Sequence, residues 1–274
     1  MVTQDEKVRE QYRDNHNLNA RIALHARFST NPYGWQRWLF DRMVEKLPSR
    51  ARLLELGCGP ADLWTANRDR IPCGWRATLT DFSSGMVRTA RENLGDVKHP
   101  FTFSLADAQA LPVADPTFDA IIANHMLYHV PDREGALREI VRALPQGQEK
   151  QGGWLFASTV GERHMYEMWE LMTPYLADVH ERTQSVSQGF TLENGGAQLS
   201  RYFSAVERYD YDDHLRVTEA EPIIAYLRSS TTLMNCDLDE SMVAELREHI
   251  SGEIEAHGAF HIRKASGLFV AHGP

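Results

Sequence analysis

Between residues 50 and 160, short apolar runs alternate with stretches whose apolar positions recur at helical spacing. That alternation is the signature of parallel βαβ units. It predicts five strands at 51–56, 76–80, 101–105, 120–123 and 153–159, with helices at 83–94 and 132–144. The fourth run, Phe118-Asp119-Ala120-Ile121-Ile122-Ala123-Asn124-His125, reads as a buried strand emptying onto polar residues. Two further strands are expected near 205–211 and 260–270.

Three segments fall outside this pattern. The chain reads as one elaborated domain over 1–274: an N-terminal helical extension or lid at 1–49, a core at 50–160, cap segments at 161–204 and 217–257, and final strands within 205–216 and 258–274. The extension is dense in aromatic and titratable groups, so Tyr12, His16, His25, Phe28 and Tyr33 are candidates to line an acceptor site. Ile22, Trp35, Trp38, Leu39, Met43 and Leu47 recur at spacings that suit packing of a helix on a sheet, and packing is the preferred role for the tryptophans. Segment 161–204 predicts one helix carrying His164, Met165, Met168, Trp169 and Met172. These side chains suit an adaptable apolar lid or an ordinary amphipathic helix, and His164 and Trp169 join the acceptor candidates. Segment 217–257 predicts two helices, a cap or a dimer contact.

Composition narrows the classes. With 274 residues, 42% hydrophobic and 24% charged, the chain can form one substantial core. A net charge of −9 without a lysine and arginine cluster disfavours a phosphate-backbone partner, so no nucleic acid is expected. Three unclustered cysteines, Cys58, Cys73 and Cys236, form neither a disulfide framework nor a zinc spacing, which fits a reducing cytoplasm. No segment approaches transmembrane length. A monomer or homodimer is expected.

The chemistry concentrates where the first strand meets a glycine turn, Glu55-Leu56-Gly57-Cys58-Gly59-Pro60. Glycines there allow unusual dihedrals and a close backbone approach to a small molecule. A dinucleotide fingerprint requires a third glycine where Asp62 stands, and a carboxylate at a helix start competes with a bound phosphate. S-adenosylmethionine carries no phosphate, and its sulfonium and ammonium outweigh its one carboxylate, so Glu55 and Asp62 suit it. Asp81, closing the second strand, can accept from ribose hydroxyls, as it also could for a nicotinamide cofactor, or it can cap the helix at Ser83. Asp107 can accept from an adenine amino group while the Ala108 amide donates to the ring, or Asp107 is a plain loop acid.

Together with Asp81-Phe82-Ser83, Asp107-Ala108 and the run Asn124-His125-Met126-Leu127-Tyr128-His129-Val130-Pro131-Asp132, this turn resembles the class I S-adenosylmethionine-dependent methyltransferases. The likeness is greatest to the small-molecule group of quinone-biosynthesis and natural-product enzymes. It implies an α/β fold with a doubly wound, seven-stranded, mostly parallel Rossmann-like sheet whose last pair is antiparallel at the edge. It also implies that Gly57 and Gly59 flank the methionine part, with Glu55, Cys58, Pro60, Phe82 and Met86 nearby. Asp81 would hold the ribose, Asp107 and Ala108 would read adenine, and the Asn124 carbonyl would meet the ammonium. Many relatives have glycine where Ala61 stands, and a methyl fits there if the residue is already helical.

The implied activity is methyl transfer from S-adenosyl-L-methionine, leaving S-adenosyl-L-homocysteine, to a small aromatic metabolite at oxygen, nitrogen or carbon, with phenol and indole acceptors both suited. His125 follows the fourth strand where the methyl should point and is the candidate base, with Tyr12 positioning or deprotonating the acceptor and Tyr128 beside it. His16, His25 and His164 are reserves. His129 lies four residues on and could share a helical face with His125, but no carboxylate motif accompanies the pair and no metal is expected. The alternatives are a nicotinamide-dependent oxidoreductase, opposed by Asp62, and a non-catalytic binding protein that keeps the cofactor site.

Overall fold

The computed structural model describes residues 15–146, 152–184 and 187–274. Seven strands form one sheet: β1 (Arg50–Leu56), β2 (Gly74–Asp81), β3 (Phe101–Leu105), β4 (Ala120–Asn124), β5 (Trp154–Val160), β6 (Ala205–Tyr211) and β9 (Ser266–His272). They stand in the order β3-β2-β1-β4-β5-β9-β6. β1 to β5 run parallel, while β9 is antiparallel to both β5 and β6. The last pair is therefore antiparallel at the edge, as the resemblance implied, with β9 as its inner strand. That strand inserts between β5 and β6, and the polar β6 becomes the edge strand. Burial explains the order, since Gly267 through Ala271 are all buried whereas most of β6 is not.

Each central strand feeds two cores. Along β4, Ala120 and Ile122 enter one cluster with Leu53, Leu79 and Phe156, while Ile121 and Ala123 enter another with Leu54, Leu155 and Phe269. A two-residue side-chain period buried on both faces is why these runs read as unbroken apolar stretches. Helix α1 spans Asn15–Phe28 and α2 spans Trp35–Lys46. Leu39, Phe40 and Met43 of α2 fill the first of those clusters beside Trp64 and Trp75. The remaining core helices are α3 (Asp62–Thr65), α4 (Ser84–Asn93) and α5 (Arg133–Ala143), with α4 capped by Ser83 and α5 by Asp132.

The chain divides into two compact units. The sheet unit comprises Tyr33–Val160, Phe190–Tyr211 and Ser266–Pro274. Residues 33–49 thus belong with the sheet, because the apolar stripe of α2 is buried there.

The second unit comprises, among the described residues, Asn15–Pro32 with those of Gly161–Gly189 and Asp212–Ala265. Its centre is a third cluster containing Leu24, Met168, Trp169, Leu215, Ile223 and Ile250. Beyond α1 it contains α6 (Tyr166–Glu170), α7 (Val179–Gln184), α9 (Ala220–Arg228), α10 (Thr231–Met234), α11 (Glu240–His257) and a two-stranded sheet of β7 (His214–Val217) with β8 (Phe260–Arg263); the short helix α8 (Gly195–Leu199) lies in the sheet unit. The helix expected to carry His164 to Met172 within 161–204 is only the short α6, and Met165 before it is left-handed, φ 59°. Three helices replace the two expected over 217–257, and the run at 260–270 is two strands, β8 and β9. Among the described residues no helix is long and apolar enough to cross a membrane.

Candidate active site

The strand order reverses between β1 and β4, and in open α/β sheets the crevice beyond the carboxyl ends of such a pair is where ligands bind. After β1, Gly57 and Gly59 are both left-handed, φ 61° and 52°. A Cβ on Gly57 would lie 2.8 Å from the Met126 Cβ, whereas one on Gly59 would meet nothing within 4 Å. The first glycine lets the turn pack on the loop after β4, and the second leaves space on its open side. The turn is tied to β2 by the Cys58 amide, which donates to the Thr80 carbonyl at 2.9 Å.

Ala61, φ 67°, is also left-handed and buried, so the helical condition under which a methyl would fit is not met. Holding an L-residue in this region costs about 1–2 kcal/mol. Replacement by glycine would remove that strain but give the unfolded chain freedom costing about 0.4–1 kcal/mol. The two terms partly cancel, so the methyl is tolerable.

Three carboxylates surround the turn. Glu55 is 2% exposed and accepts from the Trp64 indole at 2.6 Å. Burial pushes its carboxyl up to about 8, opposed by that hydrogen bond and reinforced by Asp62 and Asp81. Asp62 opens α3, and burial raises it too. Asp81 accepts from the Gly59 amide at 3.0 Å and the Ser83 amide at 2.8 Å, and burial outweighs these bonds to hold it above its ordinary value. Asp81 therefore braces the glycine turn and the Ser83 amide, while the cap of α4 is Ser83 itself. Phe82 is 42% exposed beside it, while Met86 is buried.

Asp107 lies in the loop after β3 and accepts from the Gln109 amide at 2.9 Å and from the Gln109 side chain through both oxygens, at 3.0 and 3.1 Å. The Gln109 carbonyl oxygen accepts in turn from the Asp132 amide at 2.9 Å, which ties this loop to the start of α5. Ala108 is buried next to it.

After β4, Asn124 is the hub of a polar network. Its Oδ1 accepts from the Trp35 indole at 3.1 Å and from the Ser158 hydroxyl at 2.8 Å, and its amide nitrogen donates to Gln36 Oε1 at 3.3 Å. His125 is left-handed, φ 54°, and its amide donates to Ser158 Oγ at 2.8 Å. Its ring lies 4.9 Å from Trp35 and 6.4 Å from Tyr128. Trp35, Trp38 and Tyr211 pack on one another at 5.1–5.3 Å. The shared helical face foreseen for His125 and His129 does not form, because His125 reverses the backbone before the 3₁₀ turn Leu127–His129 begins.

The other candidates fall elsewhere. Tyr33 is exposed, and its hydroxyl donates to Asp41 at 2.6 Å and accepts from Arg70 at 3.1 Å. In the second unit, Phe28 and Trp169 are core residues. His164 accepts from the Ala265 amide at 3.2 Å. His25 packs edge-on against Tyr226, and burial with the Lys264 charge pushes it down to about 4, leaving a neutral, weakly basic imidazole at pH 7. Lys264 itself pairs with the buried Asp213. His16 lies on α1, and Tyr12 lies outside the described residues. Sequence reasoning missed Gln36, Ser158 and Tyr211. Trp35 and Trp38 were visible by their spacing, which also suits packing. Nothing local marks Ser158, which reaches the network only because β5 pairs with β4, Ser158 opposite Asn124.

A family model described as a methyltransferase domain matches residues 54–156, which include all the motifs around this crevice. The chain is 29% identical over 227 residues to the 27-O-demethylrifamycin SV methyltransferase of Amycolatopsis mediterranei, covering 80% of this chain and 72% of that protein. It is 31% identical over 189 residues to the malonyl-[acyl-carrier protein] O-methyltransferase of Geobacter sulfurreducens, covering 65% of this chain and 64% of that protein, just under two thirds of its length. Among solved structures, the phosphoethanolamine N-methyltransferase 2 of Haemonchus contortus, in complex with S-adenosyl-L-methionine, superimposes with a TM-score of 0.61 at 15% identity, covering 100% of this chain and 60% of that one. At that identity the likeness is one of fold. With the glycine turn, the acid closing β2 and the strand order, these relations identify residues 54–156 as a methyltransferase domain, similar to those of the class I S-adenosylmethionine-dependent enzymes.

Proposed function

We propose that the protein binds S-adenosyl-L-methionine at the β1–β4 crevice and methylates a small aromatic metabolite, a phenol or indole, at oxygen, nitrogen or carbon. The observation that carries the cofactor half is the gathering of Glu55, Asp62 and Asp81, each raised by burial, around a glycine turn. Buried acids gathered in this way are relieved by a cation and aggravated by a pyrophosphate. Glu55, Gly57, Gly59 and Asp62 would lie along the methionine part, Asp81 at the ribose, and Asp107 with Ala108 at the adenine. When bound, the cofactor supplies a methyl group on an already positive sulfur, so the protein's task is orientation, dryness and removal of a proton.

The acceptor half rests on the aromatic surroundings of His125. Trp35, Tyr128 and the imidazole offer flat apolar surface next to a group able to take a proton from a phenol. The Amycolatopsis relative, named for an O-methylation of a natural product, supports an oxygen acceptor. Calorimetry with S-adenosyl-L-methionine and with NAD, followed by labelled methyl transfer to a panel of phenols, amines and indoles, tests both halves. Binding of the first alone and turnover with a phenol or indole are expected. Binding of NAD alone would overturn the cofactor assignment, and absence of turnover with every acceptor would overturn the catalytic one. His125→Ala should keep cofactor affinity and lower turnover by about 10²-fold or more.

A further inference from the structure

We propose that Ser158 and the Asn124 side chain are positioning residues that hold His125 in its left-handed conformation and so aim its ring. The inference rests on the reading of His125 given above. A φ of 54° is uncommon for any residue but glycine, and a side-chain-bearing residue held there at the end of a strand is fixed by its surroundings. The surroundings are specific. Ser158 is fully buried on β5, its hydroxyl accepts from the His125 amide and donates to Asn124 Oδ1, and that same oxygen accepts from the Trp35 indole. The Asn124 amide nitrogen is engaged by Gln36 on the next residue of α2.

The Ser158 hydroxyl, through Asn124 Oδ1, thus links the backbone of His125 to the aromatic ring that faces it at 4.9 Å. The direction of the bonds is dictated by the groups. The His125 amide can only donate, so Ser158 must accept there, which leaves its proton for Asn124 Oδ1. Asn124 then presents its oxygen to two donors and its nitrogen to Gln36, which fixes the orientation of its amide. Removing the Ser158 hydroxyl breaks two bonds of this chain and frees the backbone of His125 to return to a negative φ, turning the ring away from Trp35.

The test uses the full-length protein with S-adenosyl-L-homocysteine as the probe of cofactor binding. In wild type, the His125 ring protons, assigned by comparison with His125→Ala, should be displaced by the neighbouring indole. Ser158→Ala should move these signals toward those of free histidine, and Ser158→Thr, which keeps the hydroxyl, should largely restore them. Calorimetric affinity for the probe should stay within about twofold. If the phenol and indole panel yields turnover, kcat should drop about ten- to a hundredfold in Ser158→Ala, with the KM for the methyl donor little changed. Unmoved His125 signals in folded Ser158→Ala would overturn the proposal whatever the activity. Should that variant not fold, Asn124→Ser serves in its place, and unmoved His125 signals there would overturn the proposal equally. Moved signals without turnover in wild type would leave the positioning role standing and sink the functional reading instead.

Discussion

Glu55 carries the clearest pH consequence in the molecule. Its carboxyl is ordinarily near 4.5 and is raised to about 8 in the fold. Between those values the native state retains a proton that the unfolded chain has lost, so stability falls as pH rises through that window. Each unit of pH is worth up to about 1.4 kcal/mol for one such proton. Glu55→Gln should flatten the dependence, measured by urea unfolding at about pH 5 and pH 8. A cationic ligand favours the ionised form, so affinity for S-adenosyl-L-methionine should rise with pH over the same range and lose that rise in the variant. An equally steep loss of stability in Glu55→Gln would show that the proton resides elsewhere. At the same scale, His125 balances strain of about 1–2 kcal/mol against an amide hydrogen bond worth about 0.5–1.5 kcal/mol. That near balance is why one hydroxyl can decide its conformation.

At the level of elements, the turn from β1 to α3 depends on Gly57 for two separate reasons. Its φ is 61°, and its missing side chain is where Met126 packs. Gly57→Ala should therefore destabilise the sheet unit by about 1–2 kcal/mol from dihedral strain alone, with an added steric cost at Met126. Gly59 has the same handedness but open space, so Gly59→Ala should cost only the strain in the free protein and show its larger effect in calorimetric affinity for the methyl donor. Equal unfolding costs for the two variants would contradict this division. Strands β4 and β5 were legible in sequence because both faces are buried and the runs are largely apolar, whereas β3, at the edge, was legible by its alternation alone. Strand β9 was also seen, within the antiparallel edge pair, but its place as the inner strand of that pair rests on long-range pairing with β5 and β6. Segment 161–204 misled because spaced methionines and aromatics look alike in one long helix and in several short ones meeting in a core.

For the whole molecule, three apolar clusters distribute stability over two compact units. The net charge of −9 suits a cationic cofactor without requiring one. A ligand that binds only the native state stabilises it by mass action, about 2.7 kcal/mol at a hundredfold excess over Kd. S-adenosyl-L-methionine should accordingly raise the unfolding temperature in differential scanning calorimetry, and NAD should leave it unchanged. A rise with NAD alone would point to a pyrophosphate in the β1–β4 crevice and remove the basis for the methyl-transfer reading.

The chain by itself determined the βαβ alternation, the glycine turn with its acids, and the carboxylates at the ends of β2 and β3. These depend on local period and on residues within one strand-turn-helix unit. Only the tertiary structure decided that Ala61 and His125 are left-handed, that Ser158 joins His125 to Asn124, which also accepts from Trp35, and that His25 is half-buried and neutral. Each of those depends on groups far apart in sequence being brought together by strand pairing or core packing, and neither spacing nor composition encodes which distant side chain will arrive.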